Sequence, residues 1–373
     1  MLKVLLAGGG TAGHLNPALA IAEIIKLHHP DAEFLFAGTP FGMEAKLIAK
    51  TKYRFAPIKV RGFQRKLSIE NIGRNIQAAS YLATAGPRAK QIIKDFNPDI
   101  VIGTGGYVSG PIVMKAAQMK ISTVIHEQNA YPGVTTRLLS KHVNEIMLTV
   151  EEAKAYLDKD IKYTVTGLPV RSGIMTKTKS QARKELGFDD SLCILSFGGS
   201  LGAGMINETA VDLIAWHDGK KAINHIHGYG GMGKDTFVPA LNAKGVKLEN
   251  NPRLKVSEYI DNMDTCMAAA DLVICRSGAN TLSELEAMGR GSILIPSPIV
   301  AGNHQYHNAM VLGNAGAAIV IEQKDLTSEL LIQKVQELYE NPKKLERLSQ
   351  KAAELAIRDT SDRVYEVISR LIK

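Results

Sequence analysis

The 373-residue chain is 45% hydrophobic and 22% charged, with a formal net charge of +8; this is too apolar for a disordered chain and long enough for two or three cores. Its three cysteines, Cys193, Cys266 and Cys275, fit neither a disulfide framework nor a metal-ligand spacing, which points to a reducing cytoplasm. No apolar run approaches the ~18 residues of a membrane span, and the opening Met-Leu-Lys runs into strand and glycines, leaving no signal-peptide core.

Apolar, β-rich runs alternate with helical patterns along the whole chain. Strands are expected at 3–7, 33–37, 100–103, 123–126, 145–149 and 163–166, then at 193–197, 223–227, 254–256, 272–275, 292–295 and 318–321. Continuous apolar runs of this kind read as buried parallel strands, and the alternation with helices gives doubly wound α/β sheets. The strand-glycine-helix pattern at 4–13 recurs at 194–204, so two Rossmann-like domains of similar size are expected. Glycine and proline in Gly167-Leu168-Pro169-Val170-Arg171 mark the join, and the polar stretch 176–183 leads into the second domain.

The first strand ends in Gly8-Gly9-Gly10-Thr11-Ala12-Gly13-His14, in which Gly8, Gly10 and Gly13 satisfy GxGxxG. Such a turn lets backbone amides approach a pyrophosphate at a helix N-terminus. A dinucleotide site also needs an acid at the end of the next strand. That strand ends Gly38-Thr39-Pro40, without a carboxylate, which argues against a nicotinamide dehydrogenase.

Residues 59–94 hold Lys59, Arg61, Arg65, Lys66, Arg74, Arg88, Lys90 and Lys94 against the single acid Glu70, before Asp95, and so nearly all of the excess charge. Phe63, Leu67, Ile69, Ile72, Ile76, Tyr81 and Leu82 are interleaved with them. A solvated helix face explains the charge, and so does a surface that meets anionic lipid headgroups while its apolar side chains dip into the interface. No RNA motif or recognition helix accompanies it, so nucleic acid is not the expected partner.

In the second half, Cys275-Arg276-Ser277-Gly278-Ala279-Asn280-Thr281-Leu282-Ser283-Glu284 follows an apolar strand and opens a helix. Small residues there allow a phosphate to reach free amides at the positive helix end. Thr281 and Glu284 also read as a T-x-x-E capping box, and the residues alone leave both readings open. Asn303-His304-Gln305-Tyr306-His307-Asn308 is a polar cluster that either reads sugar hydroxyls or forms an ordinary polar loop. Two decoys are set aside. Gly228–Asp235 approaches a GxxxxGK[ST] loop but ends in aspartate, and Asp158-Lys159-Asp160 follows a helical pattern rather than a strand.

Seven segments in order, GGGTAGHLNPALA at 8–20, GTGGYVSGP at 103–111, HEQNAYPG at 126–133, TGLPVR at 166–171, GGSLGA at 198–203, CRSGANTLSE at 275–284 and HQYHNA at 304–309, resemble the MurG family of bacterial transferases. The resemblance implies two Rossmann-like domains facing across a cleft, the glycosyltransferase B fold. The N-terminal domain, 1–166, would bind acceptor and membrane, with a last helix at about 357–373 packing back on it; the C-terminal domain, 167–356, would bind the UDP-sugar.

The implied reaction is an inverting, metal-independent transfer of N-acetylglucosamine from UDP-N-acetylglucosamine to the C4 hydroxyl of undecaprenyl-pyrophosphoryl-muramoyl-pentapeptide, without a cofactor, on the cytoplasmic face of the cell membrane. Ile260 would contact uracil and Glu284 the ribose. Ser200, Ala279, Asn280 and Thr281 would bind the diphosphate together with Arg171, and His304 and Gln305 the sugar. Thr11, Ala12, Gly13, Asn129, Leu282 and Ser283 complete the implied donor site, while Gly105, Gly106 and Tyr107 receive the acceptor. His14 is the expected general base, since the positive end of a helix favours a neutral imidazole, and Glu127 is the alternative. Many relatives have glutamine in place of Leu201, and others carry two glutamines in place of His304-Gln305. The rival readings are a UDP-N-acetylglucosamine 2-epimerase on the same scaffold and a membrane-recruiting scaffold without turnover.

Overall fold

The computed structural model of the chain describes residues 1–62, 69–170 and 173–372, and for residues 69–79 and 82 the backbone alone. The chain divides into two compact units, Met1–Pro169 with Asp359–Lys373, and Val170–Arg358.

Unit 1 is built on seven parallel strands: β1 (Lys3–Gly8), β2 (Glu33–Gly38), β3 (Arg54–Pro57), β4 (Ile100–Gly105), β5 (Ser122–Glu127), β6 (Glu145–Leu148) and β7 (Tyr163–Val165). They are ordered β3-β2-β1-β4-β5-β6-β7. Side chains alternate across a strand, so one apolar run serves two cores. Val4, Leu6, Ile100 and Ile102 face one layer, with Ile21 and Ile25 of the helix Ala12–His28. Leu5, Ala7, Val101 and Ile125 face the other, with Ile92 and Ile93 of the helix Ile69–Phe96 and Ile112 of the helix Gly106–Gln118.

The last helix, Thr360–Ser369, belongs to the first of these layers through Val364, Val367 and Ile368, all fully buried. Tyr365 stacks on His28 with ring centroids 3.6 Å apart, and its hydroxyl lies 3.0 Å from His29 Nε2. Arg370 pairs with the buried Glu145 at 2.8 Å.

Unit 2 repeats the order with six parallel strands: β8 (Leu192–Phe197), β9 (Ile223–Gly228), β10 (Leu254–Ser257), β11 (Leu272–Cys275), β12 (Gly291–Leu294) and β13 (Ala318–Val320), arranged β10-β9-β8-β11-β12-β13. Cys193, Cys266 and Cys275 are free and buried in one of its cores. Each of the twelve expected strands forms, with ends within two residues of those expected. β3 is additional. It is four residues long, ends in Pro57, lies at the sheet edge and buries only Ala56, so it carries neither an apolar run nor a clean alternation.

A chain of buried polar groups crosses the β8–β9 region of unit 2. Asn207 Nδ2 donates to the Tyr229 carbonyl (2.9 Å), which turns its Oδ1 toward His227 Nε2 (3.3 Å). Ser196 Oγ joins His227 Nδ1 (2.7 Å) to His225 Nε2 (2.8 Å), and His225 Nδ1 meets His217 Nε2 at 3.0 Å. Burial lowers His217 to about 4 and His227 to about 3, and it holds His225 well below the usual histidine range. Three neutral imidazoles thus satisfy one another inside the core.

Candidate active site

In a parallel sheet all carboxyl ends lie on one edge, where such folds bind ligands. In unit 1 the loops after β1, β4 and β5 bring three of the predicted segments together. Thr11 is the extended N-cap of the helix Ala12–His28, which puts Ala12, Gly13 and His14 in its first turn. His14 is half-buried, while Thr11 and Gly13 are exposed. Gly105, at φ +103°, lies under the His14 ring, and a Cβ there would stand 2.6 Å from Nδ1. Gly106, at φ +77°, touches the preceding loop, since its Cβ would fall 2.2 Å from the Gly9 carbonyl oxygen. Close contact between two loops is therefore reason enough for glycine at both positions. Tyr107, next in line, is 62% exposed.

A carboxylate does reach the end of β2, contrary to the expectation that none stands there. Glu44 arrives from the helix Met43–Ile48 and is 1% exposed. It accepts hydrogen bonds from Thr39 N (2.8 Å), Thr39 Oγ1 (2.7 Å) and Gly10 N (3.1 Å). Burial acts to raise its pKa, but the hydrogen bonds from Thr39, its own backbone and Gly10 outweigh burial and hold the group below the ordinary value. Its oxygens serve the protein's own donors, so it braces the glycine loop rather than offering itself to a ribose.

At the end of β5 the four polar residues divide their work. Glu127 is buried, with Oε1 accepting from Asn129 N (3.0 Å) and Asn129 Nδ2 (3.1 Å), and Oε2 from Gly133 N (3.0 Å) and Thr136 Oγ1. Gln128 Nε2 donates to the His126 carbonyl at 2.6 Å and lies 3.2 Å from His126 Nδ1. Gln128 Oε1 meets His14 Nδ1 at 3.0 Å, and His126 Nε2 meets the Gly167 carbonyl at 3.0 Å. His126 is fully buried, and burial lowers its pKa and keeps it neutral. Sequence reasoning missed Gln128 because a neutral amide has no titration or ligand signature; its only signal was its place in the HEQN run.

In unit 2 the predicted donor residues come from the carboxyl ends of β8, β10, β11 and β12. Ser200 and Leu201 lie exposed in the turn after β8. That turn rests on the one after β9, since a Cβ on Gly202 (φ +83°) would fall 2.2 Å from the Tyr229 carbonyl oxygen. Ile260 is buried after β10.

After β11 the helix Ala279–Met288 begins with Gly278 as N-cap and without a capping side chain. Thr281 is its third residue, so the T-x-x-E capping box does not form. The small residues Ser277-Gly278-Ala279 let the helix start earlier than that pattern suggested. Ala279, Asn280 and Thr281 are half-buried at the helix start, and Leu282, Ser283 and Glu284 are buried.

After β12, His304 Nδ1 lies 2.9 Å from the Ala301 carbonyl, which fixes the proton on Nδ1 because a carbonyl only accepts. Gln305 Oε1 accepts from Ser297 N at 2.9 Å. Ser277 Oγ donates to the Gln305 carbonyl (2.8 Å) and Asn308 Nδ2 to the Ser277 carbonyl (3.2 Å), so the two helix starts are tied together. Arg276, which sequence reasoning left without a role, braces the same edge by donating to the Ile295 and Pro296 carbonyls and to Gln323.

Arg171 lies outside the described residues, as do Phe63, Arg65, Lys66 and Leu67 of the basic-apolar segment and the side chains of Ile69, Ile72, Arg74, Ile76 and Leu82. Of the rest of that segment, Lys59, Arg61, Arg88, Lys90 and Lys94 are exposed while Ala85, Ala89, Ile92 and Ile93 enter the core. Asp158 pairs with Lys141 at 2.7 Å on the surface. Among the described residues no helix is long and apolar enough to cross a membrane, and no group of three metal-ligating side chains is assembled.

Residues 4–148 match the Glycosyltransferase family 28 N-terminal domain and residues 193–364 the Glycosyltransferase family 28 C-terminal domain. A curated relative from Acetivibrio thermocellus, named UDP-N-acetylglucosamine--N-acetylmuramyl-(pentapeptide) pyrophosphoryl-undecaprenol N-acetylglucosamine transferase, is 43% identical over 100% of this chain and 99% of its own. The chain belongs to the MurG family. Its fold agrees with the crystal structure of Acinetobacter baumannii MurG, at a TM-score of 0.78 and 27% identity over 99% of this chain and 100% of that one. As a MurG-family member it is a glycosyltransferase of the glycosyltransferase B fold. A UDP-GlcNAc 2-epimerase from Neisseria meningitidis shares the fold at a TM-score of 0.64, with 14% identity over 99% of both chains.

Proposed function

We propose that this chain transfers N-acetylglucosamine from UDP-N-acetylglucosamine to the C4 hydroxyl of the lipid-linked N-acetylmuramoyl-pentapeptide, with inversion and without a metal. The observation that carries the reading is the full-length match to relatives named for this transfer. The epimerase neighbour, at 14% identity, shares the scaffold and lends its reaction no support.

An inverting transfer is a single displacement at the anomeric carbon. It needs a base for the attacking hydroxyl and stabilisation for the departing diphosphate. His14 is the base. Among the described residues His14 spends one ring nitrogen on Gln128 and keeps the other, whereas both Glu127 oxygens accept two bonds each. In unit 2 the diphosphate is assigned to Ser200, to Arg171 and to the amides of Ala279, Asn280 and Thr281 at the positive helix end. These groups would take the role a metal plays in other transferases.

Ile260 and Glu284 are assigned to the uridine, and His304 and Gln305 to the sugar. Gln305 has its oxygen committed to Ser297, which turns its amide nitrogen to donate to sugar hydroxyls, and His304 stands beside it at the helix start. Thr11, Ala12, Gly13, Asn129, Leu282 and Ser283 are further donor contacts, and Gly105, Gly106 and Tyr107 receive the acceptor. Residues 59–94 hold the enzyme at an anionic membrane surface as a peripheral protein.

The test is sugar transfer to the lipid-linked acceptor in excess chelator, with the anomeric configuration of the product read by NMR. A β linkage formed at an undiminished rate is expected. Loss of activity restored by a divalent cation, or an α linkage, contradicts the mechanism.

A further inference from the structure

The histidine in the first turn of the first helix is held by an amide whose orientation is not free. Gln128 Nε2 lies 2.6 Å from the His126 carbonyl oxygen, which can only accept, so the atom facing it must be the amide nitrogen. The other end, Oε1, then faces His14 Nδ1 at 3.0 Å. An amide oxygen only accepts, so Nδ1 must carry the proton. The same amide nitrogen lies 3.2 Å from His126 Nδ1, while His126 Nε2 donates to the Gly167 carbonyl at 3.0 Å. Two backbone carbonyls thus fix the orientation of the amide, the proton on His126 Nε2 and the proton on His14 Nδ1.

We infer that Gln128 is a positioning residue of the transfer reaction: it holds a proton on His14 Nδ1, which makes Nε2 the atom that takes the acceptor's hydroxyl proton. The inference rests on the reading of His14 as the base. Gly105 beneath the ring, where a Cβ would stand 2.6 Å from Nδ1, fixes the ring position that this hydrogen bond requires. Among the described residues, the titratable groups that neighbouring elements bring to this region are His126, Glu127, Glu44 and Tyr107. His126 is neutral and turned to Gly167, Glu127 is turned to Asn129, Gly133 and Thr136, Glu44 to Thr39 and Gly10, and Tyr107 packs on Gly62.

The tautomer can be read directly, on the wild-type protein, by isotope-edited NMR of the histidine ring nitrogens with His14→Ala as the assignment control. Protonated Nδ1 and unprotonated Nε2 are expected for His14 at neutral pH; the reverse tautomer overturns the inference. Gln128→Met removes the acceptor and should lower kcat by about 10- to 100-fold while KM for the UDP-sugar stays within about twofold, a wrong tautomer being worth up to about 10⁴-fold at a catalytic imidazole. Gln128→Glu keeps an acceptor for Nδ1–H and adds a negative charge while giving up the donor to the His126 carbonyl, so its kcat should fall less than that of Gln128→Met and the acid limb of its kcat profile should lie at higher pH. Equal losses in both variants at every pH, with the acid limb unmoved, would mean that Gln128 only fills space. If His14→Ala turns over within a few-fold of wild type while the tautomer is as stated, the failure lies with the base assignment. If His14→Ala is inactive and the tautomer is reversed, it lies with Gln128.

Discussion

His14 and Glu44 both belong to the surroundings of one glycine loop and do different work. His14 presents a ring nitrogen, while Glu44 spends its carboxylate on Gly10 and Thr39. A positioned general base contributes about 10²- to 10⁴-fold. His14→Ala should therefore lower kcat by at least about 10²-fold with little change in UDP-sugar affinity, as measured by turnover beside calorimetric titration of the donor. Glu44→Ala leaves the Gly10 and Thr39 amides without their partner in a site that is 1% exposed. It should cost about 1–3 kcal/mol of stability in denaturant unfolding, and it should also lower kcat because the loop that carries His14 loosens. Unchanged stability would mean that water replaces the carboxylate at no cost. Neither Glu44 nor Gln128 was legible as a site residue in the sequence. Glu44 lies on the helix after the strand whose end it serves, and Gln128 is an uncharged amide whose role comes entirely from the direction its two ends face.

At the scale of elements, the strands were legible because both faces of each sheet are buried, which writes unbroken apolar runs such as Val4–Ala7 and Leu272–Cys275. β3 escaped because an edge strand with one buried residue leaves no such run. The capping box that the T-x-x-E pattern left open at Thr281 and Glu284 does not form, because backbone geometry at Gly278 rather than a side chain opens the helix Ala279–Met288.

The row His217-His225-Ser196-His227 has a consequence for stability. Its histidines have folded-state values lowered below the ordinary 6.5, to about 4 for His217 and about 3 for His227. A lowered histidine pKa means that the unfolded chain binds more protons at acid pH, so stability is complete above about pH 6.5 and falls as pH drops through the window toward 4. Between pH 6.5 and 5, before most carboxylates titrate, each buried ring should cost at most about 2 kcal/mol. Urea unfolding at several pH values should therefore show unit 2 weakening over this range, with a smaller slope in His217→Gln. A flat profile from pH 7 to 5 would mean that these rings titrate normally.

At the scale of the whole molecule, one strand order is used twice, and each copy places its polar residues at the carboxyl ends of its strands. The repeat was readable from the glycine turns at 4–13 and 194–204, although the glycines themselves answer to contacts between loops, such as Gly106 against Gly9 and Gly202 against Tyr229. The measurement that bears most directly on the function is release of UDP and transfer of labelled sugar from UDP-N-acetylglucosamine, with and without the lipid-linked muramoyl-pentapeptide. The account predicts transfer that depends strictly on the acceptor and is lost in His14→Ala. Epimerisation of the UDP-sugar in the absence of acceptor, or sugar binding without turnover in its presence, would contradict it.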